Sequence, residues 1–145
     1  RLHRVLVEEE ELAVSVGVYD SGGFDPGLVY FYLTLPPGGD VAAAEARLLE
    51  ELERAAIQGV DEAELEKARN LQLAAFWREL ETIRGKASAL GNYEVFNEDY
   101  EALFAVPEKL AETTPGTLQS VAAAMFRREN MTVGILHAPA GDETQ

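Results

Sequence analysis

The sequence predicts an α+β domain in which several helices cover one face of an antiparallel sheet. Three observations support this prediction. Two segments near the start alternate with the period of two that is typical of strands, the middle of the chain has the helical period of about 3.6, and a third alternating segment lies near the end. Because strands and helices are segregated along the chain, an antiparallel sheet is favoured.

The first two strands are expected to form a hairpin. Residues 12–19, "LAVSVGVY", alternate strictly, and "DSGGFDPG" after them supplies turn residues. Residues 28–35 are rich in the β-branched and aromatic residues of a returning strand. The stretch before the hairpin, "RLHRVLVEEEE", is interpreted as the end of a helix that leads into it. The face of the first strand expected in the core consists of Leu12, Val14, Val16 and Val18.

A first long helix is predicted where the period changes after "PPGGD". It should start at Val41 and end near Gln58, with Gly59 as the left-handed residue that follows it. Its apolar stripe consists of Val41, Ala44, Leu48, Leu52 and Ala55. The charged residues of this segment lie mostly off the stripe, which indicates one buried face.

The segment "VDEAEL" is the clearest local signature in the chain, and it predicts the start of a second helix at Glu62. Asp61 is placed to cap the helix, and Glu64 is placed to reach back to the cap. Val60 and Leu65 have the spacing of a hydrophobic staple. This combination predicts the helix start from local chemistry alone.

The remaining helices follow from caps and breakers. Gly85 is predicted to mark a break in the long second helix, whose expected core residues include Leu73, Phe76, Trp77, Leu80 and Ile83. Asn97 is expected to cap a short helix that Pro107 interrupts. Thr114 and Pro115 are expected to cap and begin the last helix, which should end around residues 127–128.

The segment "NMTVGILHAP" predicts a closing strand that returns beside the hairpin, and residues 140–145 are expected to be a frayed tail. Its alternation places on one face Met131, Val133, Ile135 and His137. Three strands form a small sheet for so many helices. At least one further strand and a helix are therefore expected upstream, so residues 1–145 are predicted to be a single partial domain.

Composition excludes several function classes. The chain has 145 residues with an apolar fraction of 47%, a charged fraction of 26% and a formal charge of −14. Such a field repels phosphate backbones, so nucleic acid is not expected as a partner. The absence of cysteine excludes disulfides, thiolate zinc sites and cysteine nucleophiles. No apolar run approaches the roughly 20 residues of a membrane span.

No catalytic, cofactor-binding or metal-binding residue is predicted in this chain. The two histidines, His3 and His137, lie at opposite ends, and neither zinc-peptidase spacing of His and Glu occurs. The run Glu8–Glu11 is interpreted as a solvated face, since consecutive carboxylates point in different directions. No serine lies in a nucleophile-elbow context. The glycine-rich "SGGFDPG" lacks the Lys and the following helix of a phosphate loop.

A family resemblance adds to this interpretation. The order of elements, together with "DPGLVYFYLTLPPG", "LLEELERAAIQGVDEAELEKARNLQLAAFWRELET", "GKASALGNYEVFNEDY" and "RRENMTVGIL", resembles the second half of a pitrilysin/insulinase-type zinc peptidase domain, a group that includes the mitochondrial processing peptidases. The resemblance covers essentially the whole chain. It implies two related α/β halves per domain and a clamshell of domains around an extended peptide.

The resemblance implies that zinc is held by His-x-x-Glu-His plus a downstream Glu in a part of the parent that this chain does not contain, either the catalytic domain or a partner subunit. No cofactor is therefore expected in this chain. A related metal-free domain in many members contributes an Arg and a Tyr to the substrate. Laid on that stretch, Val7 stands at the arginine position and Val14 at the tyrosine position. Because valine can neither donate a hydrogen bond nor stabilise an oxyanion, this pair is not carried over.

Three functions remain open. The first is a non-catalytic part of such a peptidase that forms chamber wall and interdomain contacts, with the zinc-bearing domain or subunit and an extended peptide as partners. The second is the second half of a catalytic domain whose zinc motif lies upstream. The third is a purely structural assembly subunit of the same fold. Under the first function the chain itself is expected to be inactive, and its compartment stays undetermined.

Overall fold

The computed structural model describes residues 1–137. Two strands and five α-helices follow one another, with a π-helix at the start and two short 3₁₀-helices later. In chain order the elements are the π-helix Arg4–Glu9, β1 Ser15–Asp20, β2 Val29–Thr34, α1 Val41–Gln58, α2 Glu62–Glu79, α3 Ile83–Asn97, the 3₁₀-helix Tyr100–Ala105, α4 Val106–Glu112, α5 Pro115–Met125 and the 3₁₀-helix Arg128–Asn130. The predicted α+β class is confirmed.

The hairpin forms as predicted, although its first strand starts three residues later than expected. β1 and β2 pair antiparallel from Ser15 opposite Thr34 to Asp20 opposite Val29. At the loop end, the Ser21 amide donates to the Leu28 carbonyl at 3.0 Å. The Leu28 amide donates to the Ser21 hydroxyl oxygen at 2.9 Å. These bonds close the loop between the strands.

The two faces of the hairpin differ in burial. Val29, Phe31 and Leu33 of β2 are half-buried, and the Phe31 ring makes an edge contact with Phe126 beyond α5 at 5.8 Å. The expected core face of the first strand is only partly buried. Val16 is half-buried, but Val14 is 61% exposed and Val18 57% exposed. The prediction for these two valines is wrong, since a short two-stranded sheet is too narrow for the helices to cover it fully.

Helix caps follow the local sequence closely. The Asp61 carboxylate accepts from the Glu64 amide, and the Thr114 hydroxyl accepts from the Thr117 amide, as predicted. Gly59 has φ of +73° directly after α1, also as predicted. The side chain of Glu64 does not close the predicted capping box; its carboxylate accepts from the Arg1 guanidinium at 2.6 Å. The long-range ion pair replaces the local contact.

Two helix boundaries differ from the prediction. The break between α2 and α3 lies at residues 80–82, because the Thr82 hydroxyl caps α3 by accepting from the Gly85 amide at 2.9 Å. Asn97 is the last residue of α3, and Asp99 caps the following 3₁₀-helix instead. The left-handed Glu98, with φ of +54°, ends α3 between them. At both places the capping side chain, Thr82 or Asp99, lies two or three residues from the position that the sequence predicted.

The predicted closing strand is wrong over the part that the structure describes. Residues 131–137 are not in a strand, and within residues 1–137 the sheet has the order β1–β2. The apolar residues of this segment, Met131, Val133, Ile135 and Leu136, are exposed. Alternation supplies a strand-forming pattern, but a strand also needs a neighbouring edge to pair with. The predicted frayed tail, residues 140–145, lies outside the described residues.

The core is small and lies between the π-helix, α1 and the later helices. Its buried apolar residues are Val5, Leu6, Ala13, Ala44, Leu65, Ala89 and Leu103. Trp77, which was expected in the core, is 56% exposed and makes an edge contact of 4.9 Å with the half-buried Phe76. The helical spacing was correct, but the face of α2 that carries Trp77 has no described neighbour to cover it.

Candidate functional site

The segment that precedes the hairpin is the part of the chain where the family resemblance predicts contact with a substrate. It consists of the π-helix Arg4–Glu9 and the connection to β1. Its four glutamates are exposed, as expected. Glu11 has φ of +51°, so the backbone turns sharply just before the hairpin. This turn sets the direction in which the connection enters β1.

The glutamates of this segment contact different side chains and do not converge. A Glu8 oxygen lies 3.2 Å from Nδ1 of His3, and a Glu9 oxygen lies 3.3 Å from Nε of Arg4. Glu10 accepts from Nε of Arg47 on α1 at 2.6 Å. Carboxylates held in three separate pairs cannot form a shared metal site. Within the described chain, no group of three or more His, Cys, Asp or Glu side chains could hold a metal ion.

A buried ion-pair cluster anchors this segment to α1. Glu51 is 2% exposed, and one of its oxygens lies 2.8 Å from Arg47 Nη1 and 2.7 Å from Arg54 Nη1. Burial raises the pKa of Glu51, but the hydrogen bonds and charges of the two arginines outweigh it, so the pKa lies below its ordinary value. The hydrogen bond to Glu10, followed by the pair with Glu51, raises the pKa of Arg47.

This cluster is a structural element, because every charged group in it has an opposite charge as its partner. Arg47 bridges Glu10 of the connection and Glu51 of the helix, and thereby joins two segments that are far apart in sequence. Sequence analysis did not identify it. The signal was present in the helical spacing of Arg47, Glu51 and Arg54, but such spacing is common on exposed helices. Only packing shows that Glu51 is buried.

The two positions where the resemblance would place an arginine and a tyrosine lie in different surroundings. Val7 is half-buried on the π-helix. Val14 is 61% exposed, and its amide donates to the Thr34 carbonyl at 2.7 Å, which extends the hairpin by one residue. Neither side chain can donate or accept a hydrogen bond. Any contact of these two side chains with a substrate would therefore be apolar.

The two histidines considered as metal ligands in the sequence lie far apart along the chain and have different surroundings. His3 lies in the π-helix region beside Glu8, and His137 is exposed at the end of the described residues. An apolar groove of about 220 Å³ lies between the end of α1 and α5. Its polar residue, Gln119, donates from Nε2 to the Ile57 carbonyl at 2.5 Å. The described residues therefore bring together no set of catalytic groups.

Comparison with known proteins connects this geometry to a family. Residues 1–72 match the sequence model described as "Peptidase M16 inactive domain". The whole fold is similar to the crystal structure of the "inactive peptidase domain of a putative zinc protease" from Bordetella parapertussis, with a TM-score of 0.81 and 28% identity over 92% of this chain and 72% of that chain. The family model and this structural neighbour support the pitrilysin-type peptidase family.

Two further crystal structures are similar to this chain. A "putative zinc protease" from Bordetella pertussis Tohama I gives a TM-score of 0.78 and 28% identity over 90% of this chain and 70% of that chain. A protease from Helicobacter pylori gives a TM-score of 0.77 and 24% identity over 87% of this chain and 30% of that chain. At this identity the comparison shows the fold alone. No curated protein matches the chain. The predicted family and the non-catalytic domain type are confirmed.

The match to an inactive peptidase domain is consistent with the expectation of no cofactor in this chain. The match covers the π-helix, the hairpin, α1 and the first part of α2, which are the elements that carry the ion-pair cluster. Within the described residues, no helix is both long enough and apolar enough to cross a membrane.

Proposed function

We propose that this chain forms part of the wall of a peptide-binding chamber and packs against a zinc-bearing catalytic domain or subunit. The observation that carries the proposal is the small core of a chain that matches an inactive peptidase domain. The chain supplies surface and shape to the chamber, while the partner supplies the metal and the general base. The first of the three functions left open by the sequence is thereby favoured.

Exposed apolar side chains support a large contact with other protein segments. Six examples are apolar side chains that are at least 56% exposed. Five lie in the helices or their connections, and one precedes the hairpin: Ile57, Leu71, Trp77, Ile83, Phe104 and Val14. Exposed apolar area of this extent favours association, since each buried Å² contributes roughly 25 cal/mol. Interdomain packing would bury the side chains that the small core leaves uncovered.

Residues 1–145 are, on this proposal, the second half of a peptidase-like domain. This chain covers 72% of the Bordetella parapertussis domain, which supports a partial domain. The narrow sheet supports it as well. Over the described residues only β1 and β2 pair, although globular sheets typically have about four to six strands. Protein packed on the face that carries Phe31 would bury Val18.

The direct test is reconstitution. The chain is mixed with the separately produced protein that carries His-x-x-Glu-His, and cleavage of an unstructured peptide is followed. We expect no cleavage and no stoichiometric zinc for this chain alone, and cleavage that increases several-fold when both proteins are present. Trp77→Ala removes an exposed apolar side chain and should weaken the complex, whereas Lys67→Ala on the same helix should not. One equivalent of tightly bound zinc in the isolated chain, measured by elemental analysis, would contradict the proposal.

A further inference from the structure

One face of the hairpin carries three neighbouring tyrosines, Tyr19, Tyr30 and Tyr32, which we call the tyrosine face. The rings of Tyr19 and Tyr30 are 6.3 Å apart and tilted by 32°, and those of Tyr30 and Tyr32 are 5.9 Å apart and stacked at 15°. Their exposed fractions are 59%, 39% and 56%. Three large aromatic side chains in mutual contact thus remain open to solvent.

The strand register explains why these rings lie together. Tyr19 pairs with Tyr30, and Gly17 pairs with Tyr32, so all four residues project on the same side of the sheet. The opposite side carries the half-buried Phe31, which contacts Phe126 beyond α5. The tyrosine face therefore lies on the side of the sheet opposite the contact between Phe31 and Phe126.

The tyrosine face has room beside its rings. A Cβ atom placed on Gly17 would have no atom within 4 Å, so the space opposite Tyr32 is open. The next pair along the sheet, Ser15 and Thr34, is small and polar. A ligand side chain can therefore lie flat on the sheet between these positions and contact the edge or face of Tyr32.

Charge selects which ligand this face would attract. Residues 5–46 contain no Lys or Arg and eight acidic residues: Glu8, Glu9, Glu10, Glu11, Asp20, Asp25, Asp40 and Glu45. Two of them, Asp20 and Asp25, lie next to Tyr19 or in the loop that joins the strands. Asp20 projects on the side of the sheet opposite Tyr19. A cation that approaches the tyrosine face therefore meets the aromatic rings directly, and the formal charge of −14 attracts it over a longer range. A carboxylate that approaches the same face is repelled.

We propose that the tyrosine face binds extended peptide segments that carry Lys or Arg. A cationic side chain would lie over the tyrosine rings, which attract it through the negative face of the π system, with Asp20 and Asp25 adding long-range attraction. The inference rests on the proposed role in a peptide-binding chamber, and it specifies the chemistry of the peptide. The chamber wall would thus select peptides by charge at a site that contains no zinc ligand.

The test measures binding of three fluorescein-labelled peptides of five dipeptide repeats to the full 145-residue chain by fluorescence anisotropy. The repeats are Lys-Thr, Gln-Thr and Glu-Thr, which share length and a preference for extended structure. We expect the Lys-Thr peptide to bind at least about tenfold more tightly than the Gln-Thr peptide, and the Glu-Thr peptide not to bind. The affinity for the Lys-Thr peptide should fall as salt is raised.

Variants separate the tyrosine face from general attraction by the acidic chain. Tyr30→Leu with Tyr32→Leu keeps the charge and should weaken binding of the Lys-Thr peptide about tenfold, because two cation–π contacts are lost. Tyr30→Phe with Tyr32→Phe keeps the rings and should bind the Lys-Thr peptide about as tightly as the original chain. Such binding would show that a folding defect does not explain the weaker binding of the leucine variant. Tyr100→Leu, an exposed tyrosine on a 3₁₀-helix, is the matched control and should leave binding unchanged.

Three results obtained with this chain alone would overturn the proposal. The first is equal affinity of the Lys-Thr and Gln-Thr peptides, and the second is equal affinity of the original chain and the leucine variant. The third is a dimer in light scattering that the leucine variant converts to a monomer, since a second copy would then occupy the face. The proposed function fails separately, if the catalytic partner gains no activity from the chain. Reconstituted cleavage with no dependence on peptide charge or on these tyrosines would overturn the inference alone.

Discussion

The ion-pair cluster on α1 and the tyrosine face of the hairpin use polar and aromatic groups in opposite ways. In the cluster, Glu51 is buried and bound by two arginines, one of which also binds Glu10. On the tyrosine face, three rings contact one another but stay exposed. The first region is complete within the chain, and the second is open to a ligand. Stability and binding are thus assigned to different parts of one matched segment, residues 1–72.

The largest expected effect comes from breaking the cluster at Arg47. Arg47→Met keeps the apolar stem but leaves Glu10 without this partner and the buried Glu51 with only Arg54. The free energy of unfolding should fall by about 3 kcal/mol, since the buried Glu51 loses one of its two cationic partners and Glu10 loses its charged hydrogen bond. Urea unfolding followed by circular dichroism measures the change.

The matched control for that substitution is Arg4→Met. Arg4 pairs with Glu9 on the surface, and both side chains are more than half exposed. The free energy of unfolding should hardly change, because exposed ion pairs contribute little. Equal losses for the two variants would show that burial of the cluster is not what stabilises it.

A second pair of substitutions compares a crowded glycine with an open one. A Cβ atom on Gly85 would lie 1.8 Å from the Glu79 carbonyl oxygen, whereas one on Gly91 would have no atom within 4 Å. Gly85→Ala should force the turn between α2 and α3 to shift and destabilise the chain by about 1–3 kcal/mol. Gly91→Ala lies inside α3 and should stabilise it by about 0.5–1 kcal/mol. Thermal unfolding of both variants gives the sign of each effect.

Acid should weaken the ion-pair cluster. The pKa of Glu51 in the folded chain lies below its ordinary value of 4.5, so its contribution to stability is complete above about pH 4.5 and is lost as the pH falls through the lower folded-state pKa. Glu51→Gln lacks this contribution. The difference in unfolding free energy between the original chain and Glu51→Gln should therefore be largest near neutral pH and shrink toward pH 3. A difference that stays constant would contradict the assignment.

The smallest effect on stability is expected on the tyrosine face. Tyr30→Leu should change the free energy of unfolding by less than about 1 kcal/mol, because only cross-strand contacts with Tyr19 and the stacking on Tyr32 are lost. Urea unfolding measures this change under the same conditions as for Arg47→Met. A loss as large as that of Arg47→Met would show that the tyrosines stabilise the fold, and would weaken the contrast between the two regions.

Local chemistry made much of the fold predictable. Asp61 and Thr114 each cap the helix that the sequence assigns to them, and Gly59 ends α1 as expected. A cap needs only a side-chain oxygen and an amide two or three residues away, so a short stretch of sequence contains all of it. The hairpin was predictable for the same reason, since its turn residues and both strands lie within a few residues of each other.

Long-range contacts were not predictable in this way. Residues 131–137 have the alternation of a strand but do not pair, and Trp77 has helical spacing but remains exposed. Both features depend on whether another segment covers them. The binding of the Glu64 carboxylate by Arg1 is a third example, because a partner 63 residues away competes with the local capping box. Spacing along the chain describes what a residue can do, and distant contacts select among those possibilities.

The sequence by itself determined the α+β class, the starts of α1, α2 and α5, the hairpin and the absence of paired zinc-peptidase histidines, because each depends on residues close together in the chain. Tertiary structure alone decided that Glu51 is buried between two arginines and that the tyrosines of the hairpin lie on the side of the sheet opposite the contact between Phe31 and Phe126. Whether a side chain is buried, and whether a face of the sheet is covered, depends on which distant segments pack together. The charge that stabilises this chain and the rings proposed to bind a peptide are therefore distinguished by packing, since residue type alone does not separate them.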